Sequence, residues 1–155
     1  MGIGKTTVCE KLYQEIDRCV WLDGDWCWMM HPWNFSENNK KMVLNNISYI
    51  LNNYLNNGYF KVVLFDWVLH QNTIYEKVLS RIKKPYEFEL FKISLISNER
   101  ALSERLLQAG VDKTKLDNSI GRLPLYYDLD TLKIDTSDLT ADEVVCHIKN
   151  ICSLN

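Results

Sequence analysis

The chain of 155 residues suits one domain, and we predict a single domain over residues 1–155. Its formal net charge of −2 gives no basic field that would attract nucleic acid or a membrane surface, so neither partner is predicted. The five cysteines form no C-x-x-C pair, which argues against a zinc site or a disulfide framework. Reduced thiols and the lack of a secretory signal favour a cytoplasmic protein.

Apolar periodicity predicts helices that alternate with short apolar strands. Helices are predicted over residues 7–18, 36–57, 72–82, 98–110 and 118–129, the last interrupted by Pro124, and from Thr140 onward, where a capping box begins. Strands are predicted over residues 19–22, 60–65, 88–96 and 131–134, and loops over 26–35 and 111–117, the second of them mobile. Strands that are apolar on both faces and alternate with helices indicate an α/β three-layer sandwich with a parallel sheet.

A glycine-rich segment directly precedes the first predicted helix: Gly2, Ile3, Gly4, Lys5, Thr6 and Thr7. Glycines let backbone N–H groups converge on phosphate oxygens, and a helix N-terminus adds a favourable dipole. In such loops the lysine reaches the β and γ phosphates, and the next hydroxyl meets magnesium. We therefore predict that the segment binds ATP, with Lys5 on phosphate, Thr6 on Mg²⁺ and Thr7 on the α phosphate. The alternative is a simple glycine turn before a helix.

The complete phosphate-loop pattern is G-x-x-x-x-G-K-[ST]. Its first glycine would fall before Met1, and the strand that leads into such a loop has no counterpart in the sequence. That strand is central in a doubly wound sheet. We expect either that Met1 is an internal methionine of a longer protein, which we favour, or that the chain is a truncated product.

Six segments follow one another along the chain: G-I-G-K-T-T, L-D-G-D, L-F-D, N-E-R-A-L-S-E-R-L, I-G-R-L-P-L-Y and K-I-D-T-S-D-L-T-A-D-E-V. In this order they resemble the small P-loop kinases of the shikimate, gluconate and nucleoside-monophosphate kinase group. Only the first segment is specific alone, and the others gain weight from their order and spacing. The resemblance implies a P-loop NTPase fold and transfer of the γ-phosphoryl group of Mg-ATP to the hydroxyl of a small molecule.

The resemblance also implies roles for the acidic strand ends. Asp23 would help to hold Mg²⁺, and Asp25 would face the acceptor hydroxyl and accept its proton. Asp66, at the next strand end, would lie near the metal, so that three acidic residues converge with Thr6 around a hard cation. The alternatives are a polar turn at residues 23–25 and a turn cap at Asp66.

Arginines that close over the transferring phosphoryl group are implied in the same way. Arg105 matches the start of a short lid, which we place around residues 108–122, and Arg122 matches the arginine of an R-L-x-x-Y pattern. Both could instead be solvated helix charges. Asp135 opens the loop that would lie beside adenine, where backbone contacts are expected.

Aromatic residues and two histidines follow the acidic motifs: Trp26, Trp28, His31, Trp33, Phe35, Trp67 and His70. Such rings suit a planar or sugar-like acceptor by stacking, although they could equally cover the sheet. No arginine lies between Arg18 and Arg81, so we predict a neutral acceptor such as a nucleoside or a sugar. Two other functions stay open: an ATPase acting through a partner, and a truncated, inactive relative.

Overall fold

The structure is a computed structural model that describes residues 2–83 and 87–154. They group into two compact units. The terminal unit contains the described residues of Met1–Leu12 and Leu90–Asn155, and the central unit contains those of Tyr13–Glu89. Helix α1 (Lys5–Glu15) contributes residues to both units. The single domain over residues 1–155 stays a prediction.

The central unit is built on two parallel strands, β1 (Cys19–Asp23) and β2 (Val62–Asp66). A 3₁₀ helix (Gly24–Trp28) and α2 (Glu37–Leu55) connect them, and α3 (Asn72–Leu79) follows β2. Ser36 starts α2, because its side chain accepts a hydrogen bond from the Asn39 amide. Apolar residues spaced four apart on α2 share one face, which packs into the core of this unit. The buried residues of that core are Leu22, Val43, Ile47, Leu51 and Val78.

The terminal unit contains a second parallel pair, β3 (Ile93–Ile96) and β4 (Leu132–Asp135). Helices α4 (Glu99–Gln108), α5 (Lys113–Ile120) and α6 (Pro124–Tyr127) lie between these strands in the chain, and α7 (Ala141–Ile151) follows β4. Asn98 caps α4 by accepting from the Ala101 amide. Thr140 and Glu143 form a reciprocal capping box on α7, as predicted. Among the buried apolar residues are Val8, Leu12, Leu102, Leu106, Ile134, Val144 and Ile148.

The parallel strands and alternating helices confirm the predicted α/β class. The strand predicted over residues 88–96 is shorter, since β4 offers only four partners, Leu132 to Asp135, opposite Ile93 to Ile96. No helix of residues 2–83 and 87–154 combines the length and the apolar character that crossing a bilayer requires.

The prediction of a mobile loop at residues 111–117 was wrong, because α5 occupies most of it. Asp112 caps α5 by accepting from the Lys115 amide, a signal that outweighs the polar composition. The helix predicted over residues 118–129 is divided. The chain turns after Ile120, and α6 starts at Pro124, whose ring suits the first turn of a helix.

Candidate functional site

The glycine-rich segment forms a turn that leads directly into α1. Gly2 and Gly4 both have positive φ angles, +80° and +96°, and α1 begins at Lys5. The Val8 amide donates to the Gly4 carbonyl at 2.9 Å, which closes the first helical turn. Left-handed backbone at both glycines followed by a helix start is a geometry in which consecutive amides can surround an anion.

Gly2 also lies close against α4 within the terminal unit. A Cβ atom at this position would be 2.8 Å from Cγ of Leu106 and 3.2 Å from Cδ1 of Leu102. Both leucines are almost completely buried. The segment is therefore held against a packed helix, and only glycine fits there. Gly4 differs, since a Cβ there would meet no atom within 4 Å.

The three polar side chains of the segment follow the turn. Lys5 is half-buried at the first position of α1, and Thr6 and Thr7 are exposed on its first turn. The first turn of α1 contains no acidic residue, so no carboxylate of that turn can pair with the Lys5 ammonium group. Further along the same helix, Lys11 pairs with Asp142 at 2.7 Å. The two lysines of α1 thus have different surroundings.

The acidic residues Asp23 and Asp66 end the two strands of the central unit side by side. The parallel register pairs Asp23 with Asp66, and both residues are buried. Asp23 Oδ1 accepts from the Asp25 amide at 2.9 Å, and Asp66 Oδ1 accepts from Nε1 of Trp21 at 2.8 Å. The predicted convergence of parallel strand ends therefore places these two aspartates at neighbouring positions.

Carboxylate oxygens are hard donors, so this pair fits a magnesium ion in its chemistry. Throughout the described part of the chain, no group of three or more His, Cys, Asp or Glu side chains is placed to hold a metal ion. The expected cluster of three carboxylates is thus reduced to the pair of Asp23 and Asp66. Thr6 belongs to the terminal unit and Asp23 and Asp66 to the central unit.

Asp25 occupies the 3₁₀ helix directly after β1 and is exposed. Asp23 is the N-cap of that helix, so the hydrogen bond between the Asp23 side chain and the Asp25 amide fixes the turn that carries Asp25. Gly24 is buried beneath Trp67. A Cβ at position 24 would lie 2.5 Å from Cγ of the Trp67 ring. The D-G-D segment is therefore a real capped turn, with its glycine required by packing.

Arg105 projects from α4 to the loop after β4, within the terminal unit. Its Nη1 donates to Thr136 Oγ1 at 3.0 Å, and its Nη2 donates to the carbonyl oxygens of Thr136 and Ser137. The neighbouring Asp135 accepts hydrogen bonds from the Ser137 hydroxyl and amide. These bonds, with a smaller contribution from the Arg105 charge, lower the pKa of Asp135 below its ordinary value. The structure thus brings Arg105 and Asp135 together at one loop.

Arg122 lies in the turn between α5 and α6 and is exposed. It is close enough to Tyr126 for its charge to offset part of the rise that burial causes in the pKa of that phenol. Residues 108–122, where the lid is predicted, therefore run from the end of α4 through α5 to this turn. Arg122 thus lies just before Pro124, where the sequence predicted an interruption of the helix over residues 118–129.

Aromatic rings form a cluster after the D-G-D turn. Trp33 and Phe35 stack at 5.5 Å between centroids with 10° between their planes, and Trp28 lies 5.2 Å from Phe35. The Lys40 Nζ is 4.2 Å from the centre of the Phe35 ring, a cation–π contact. Trp33 and Phe35 are more than half exposed, so the cluster presents flat apolar surface to solvent.

Two features of the central unit, one hydrogen bond and one buried polar atom, did not follow from the sequence. Trp21 donates to Asp66, although its position two residues before Asp23 already places it on the same face of β1. His70 has a buried Nδ1 that finds no hydrogen-bond partner among the described residues. That atom could have been suspected only from its sequence position shortly after Asp66.

Solved structures resemble the chain over nearly its whole length. The tunicamycin resistance protein of Deinococcus radiodurans has a TM-score of 0.72 at 15% identity, covering 99% of this chain and 91% of that one. A gluconokinase from Sinorhizobium meliloti has a TM-score of 0.62 at 18% identity, covering 94% of this chain and 83% of that one. At these identities the likeness establishes the fold, an α/β fold with parallel strands of the P-loop kinase type.

No curated protein gives a significant match to the chain. The protein family described as AAA domain matches residues 1–122. That match includes the glycine-rich turn, both acidic strand ends and the helix that carries Arg105. The chain therefore belongs to the AAA domain family and contains a P-loop domain with a kinase-like fold.

Proposed function

We propose that the chain is a kinase that transfers the γ-phosphoryl group of Mg-ATP to a hydroxyl of a small, neutral acceptor. The observation that carries the proposal is the turn at Gly2 and Gly4, with positive φ at both residues and Lys5 at the start of α1. A turn of this kind suits the phosphates of a nucleotide. The match to the AAA domain family supports nucleotide binding.

In this proposal the amides of residues 2–7 bind the phosphate oxygens. Lys5 neutralises the β and γ phosphates, and Thr7 contacts the α phosphate. Thr6, Asp23 and Asp66 would hold magnesium through their oxygen atoms. Bound magnesium supplies positive charge that offsets the charge on the phosphates during transfer.

Asp25 is proposed to orient the acceptor hydroxyl and to take up its proton as the oxygen bonds to phosphorus. The bond from the γ phosphorus to the β–γ bridging oxygen breaks, and ADP leaves. Arg105 and Arg122 are proposed to stabilise charge on the moving group. Asp135 and its loop would border the adenine, with Arg105 holding the loop through Thr136.

A neutral acceptor, such as a nucleoside or sugar, is supported by the aromatic cluster of Trp28, Trp33 and Phe35. Flat, exposed rings bind sugar and base faces well. The gluconokinase among the structural neighbours supports a small-molecule kinase as the reaction class. We further propose a single kinase domain over residues 1–155, a lid around residues 108–122 and a cytoplasmic location.

Nucleotide binding is tested first, by isothermal titration with ATP and magnesium. Lys5→Ala should abolish binding, because it removes the cation that neutralises the phosphates. Lys11→Ala is the matched control on the same helix, since Lys11 already pairs with Asp142. If the two variants bind ATP equally well, Lys5 is not part of the nucleotide site. If the wild-type chain binds no nucleotide, the alternative of an inactive relative is favoured.

The reaction is tested by ADP release with a panel of acceptors. Release that depends on a neutral nucleoside or sugar supports the kinase, whereas release without any acceptor supports an ATPase acting through a partner. Asp25→Asn should leave ATP binding intact and lower turnover by about 100-fold or more. Normal turnover by Asp25→Asn would remove Asp25 as the base, and a preference for anionic acceptors would overturn the neutral class.

A further inference from the structure

Trp21 makes a side-chain hydrogen bond to one carboxylate of the acidic pair. It lies on β1, where the register pairs it with Leu64, and Asp66 is two residues further along β2. Residues two apart on a strand share a face, so the indole reaches diagonally across to the neighbouring strand end. Its Nε1 donates to Asp66 Oδ1 at 2.8 Å.

The chemistry of this hydrogen bond is directional. An indole N–H only donates, so it matches an ionised carboxylate, which only accepts. Asp66 is almost completely buried, and the bond fixes the rotation of its carboxylate. The second oxygen is thereby held in a defined direction at the edge where Asp23 also ends.

The ring that carries the donor is itself held in place. Trp26 lies 5.0 Å from Trp21 between ring centroids, at 59° between the planes, and Tyr13 lies 6.4 Å away at 42°. Trp26 directly follows Asp25 in the 3₁₀ helix. The Trp21 ring therefore connects the end of β2 with the turn that carries Asp25.

We propose that Trp21 is a positioning residue that fixes the Asp66 carboxylate for magnesium, an inference that rests on the proposed kinase function. Trp21 acts through Asp66 and touches neither substrate. Partners of this kind orient metal-binding side chains, and their loss typically weakens metal affinity about 10–100-fold.

The test compares Trp21→Phe with Trp26→Phe. Trp21→Phe keeps an aromatic ring and removes the N–H donor, whereas Trp26→Phe alters the neighbouring ring and leaves the Asp66 hydrogen bond. Mn²⁺ affinity is measured by electron paramagnetic resonance in the presence of ATP, with circular dichroism as the check on folding. We expect about 10–100-fold weaker Mn²⁺ binding for Trp21→Phe, a smaller change for Trp26→Phe, and an unchanged Kd for ATP at saturating metal.

A double-mutant cycle with Asp66→Asn separates positioning from general packing. If Trp21 acts through Asp66, Trp21→Phe should weaken Mn²⁺ binding little further in the Asp66→Asn background. Additive losses, or Mn²⁺ affinity within about twofold of the wild type for Trp21→Phe, would overturn the proposal. If the wild type and Trp21→Phe both bind Mn²⁺ and ATP, only the positioning role of Trp21 is excluded. If the wild type binds neither, the proposed kinase function is excluded as well.

A second measurement needs no variant at position 21 and so holds even if Trp21→Phe does not fold. In ¹⁵N-labelled wild-type protein, Mn²⁺ added with ATP should broaden the indole N–H signal of Trp21 before that of Trp33. The signals are assigned with Trp26→Phe, Trp28→Phe, Trp33→Phe and Trp67→Phe. Broadening of Trp33 first would overturn the proposal.

Discussion

Alanine at position 2 would disturb the glycine-rich turn in two separable ways. Gly2 has a φ of +80°, in the left-handed region that alanine adopts only at a cost. The new Cβ would also lie 2.8 Å from Cγ of Leu106, a side chain that is 1% exposed and cannot move aside without shifting the core. Position 4 isolates the first effect, because its φ is +96° and the space around it is open.

The backbone effect is about 1–2 kcal/mol for a residue other than glycine in the left-handed region. Overpacking of a filled core adds about 1–3 kcal/mol. We therefore expect Gly2→Ala to lower the free energy of unfolding by about 2–5 kcal/mol, and Gly4→Ala by about 1–2 kcal/mol. The difference between the two variants measures the contact with Leu106.

Urea unfolding followed by circular dichroism gives both values. Gly58→Ala serves as a reference, since a Cβ at position 58 meets no atom within 4 Å and its φ is not positive. Leu106→Ala in the Gly2→Ala background should recover the part of the loss that comes from overpacking. Equal stability of Gly2→Ala and Gly4→Ala would refute the reasoning, because the turn would not be seated against α4.

Three further predictions concern other parts of the chain. Thr140→Ala removes the capping box of α7 and should lower the free energy of unfolding by about 1 kcal/mol in urea; an unchanged midpoint would show that the cap contributes nothing. Burial raises the pKa of the Cys19 thiol to about 11, so iodoacetamide at pH 8 should modify the exposed Cys146 far sooner than Cys19. Equal modification rates of the two cysteines, measured by mass spectrometry, would contradict this. The Ser137 hydrogen bonds lower the pKa of Asp135 in the folded state. Their contribution to the free energy of unfolding is therefore fully present above the ordinary pKa of 3.8, and it is lost as the pH falls through the lower pKa of the folded state. Ser137→Ala should therefore destabilise the protein more at pH 7 than at pH 2, and a pH-independent loss in urea unfolding would exclude this linkage.

Local signals explain what the sequence predicted well. The helix starts at Asn98 and Thr140 depend on side chains that bond to amides three residues away, so a short pattern is enough to identify them. The same holds for the glycine turn before α1. The pairing of Asp23 with Asp66 was also predictable, because two acidic residues end two apolar strands that the helix between them forces to be parallel.

Contacts between distant residues explain what the sequence did not predict. The N–H of Trp21 reaches an aspartate 45 positions later, and the guanidinium of Arg105 reaches a carbonyl 31 positions later. Periodicity gives the face of a residue on its own element and leaves its partner on another element undetermined. The length of β3 was overestimated for a related reason, since the partner strand β4 limits it.

The Trp67 ring lies close against Gly24, and these two positions are 43 residues apart in the sequence (67 minus 24). A side chain at position 24 and a large ring at position 67 compete for the same volume, so a change at one constrains the other. Homologous chains with alanine or serine between the two aspartates should accordingly have a smaller residue in place of Trp67. An engineer who wished to alter the D-G-D turn would have to change both positions together.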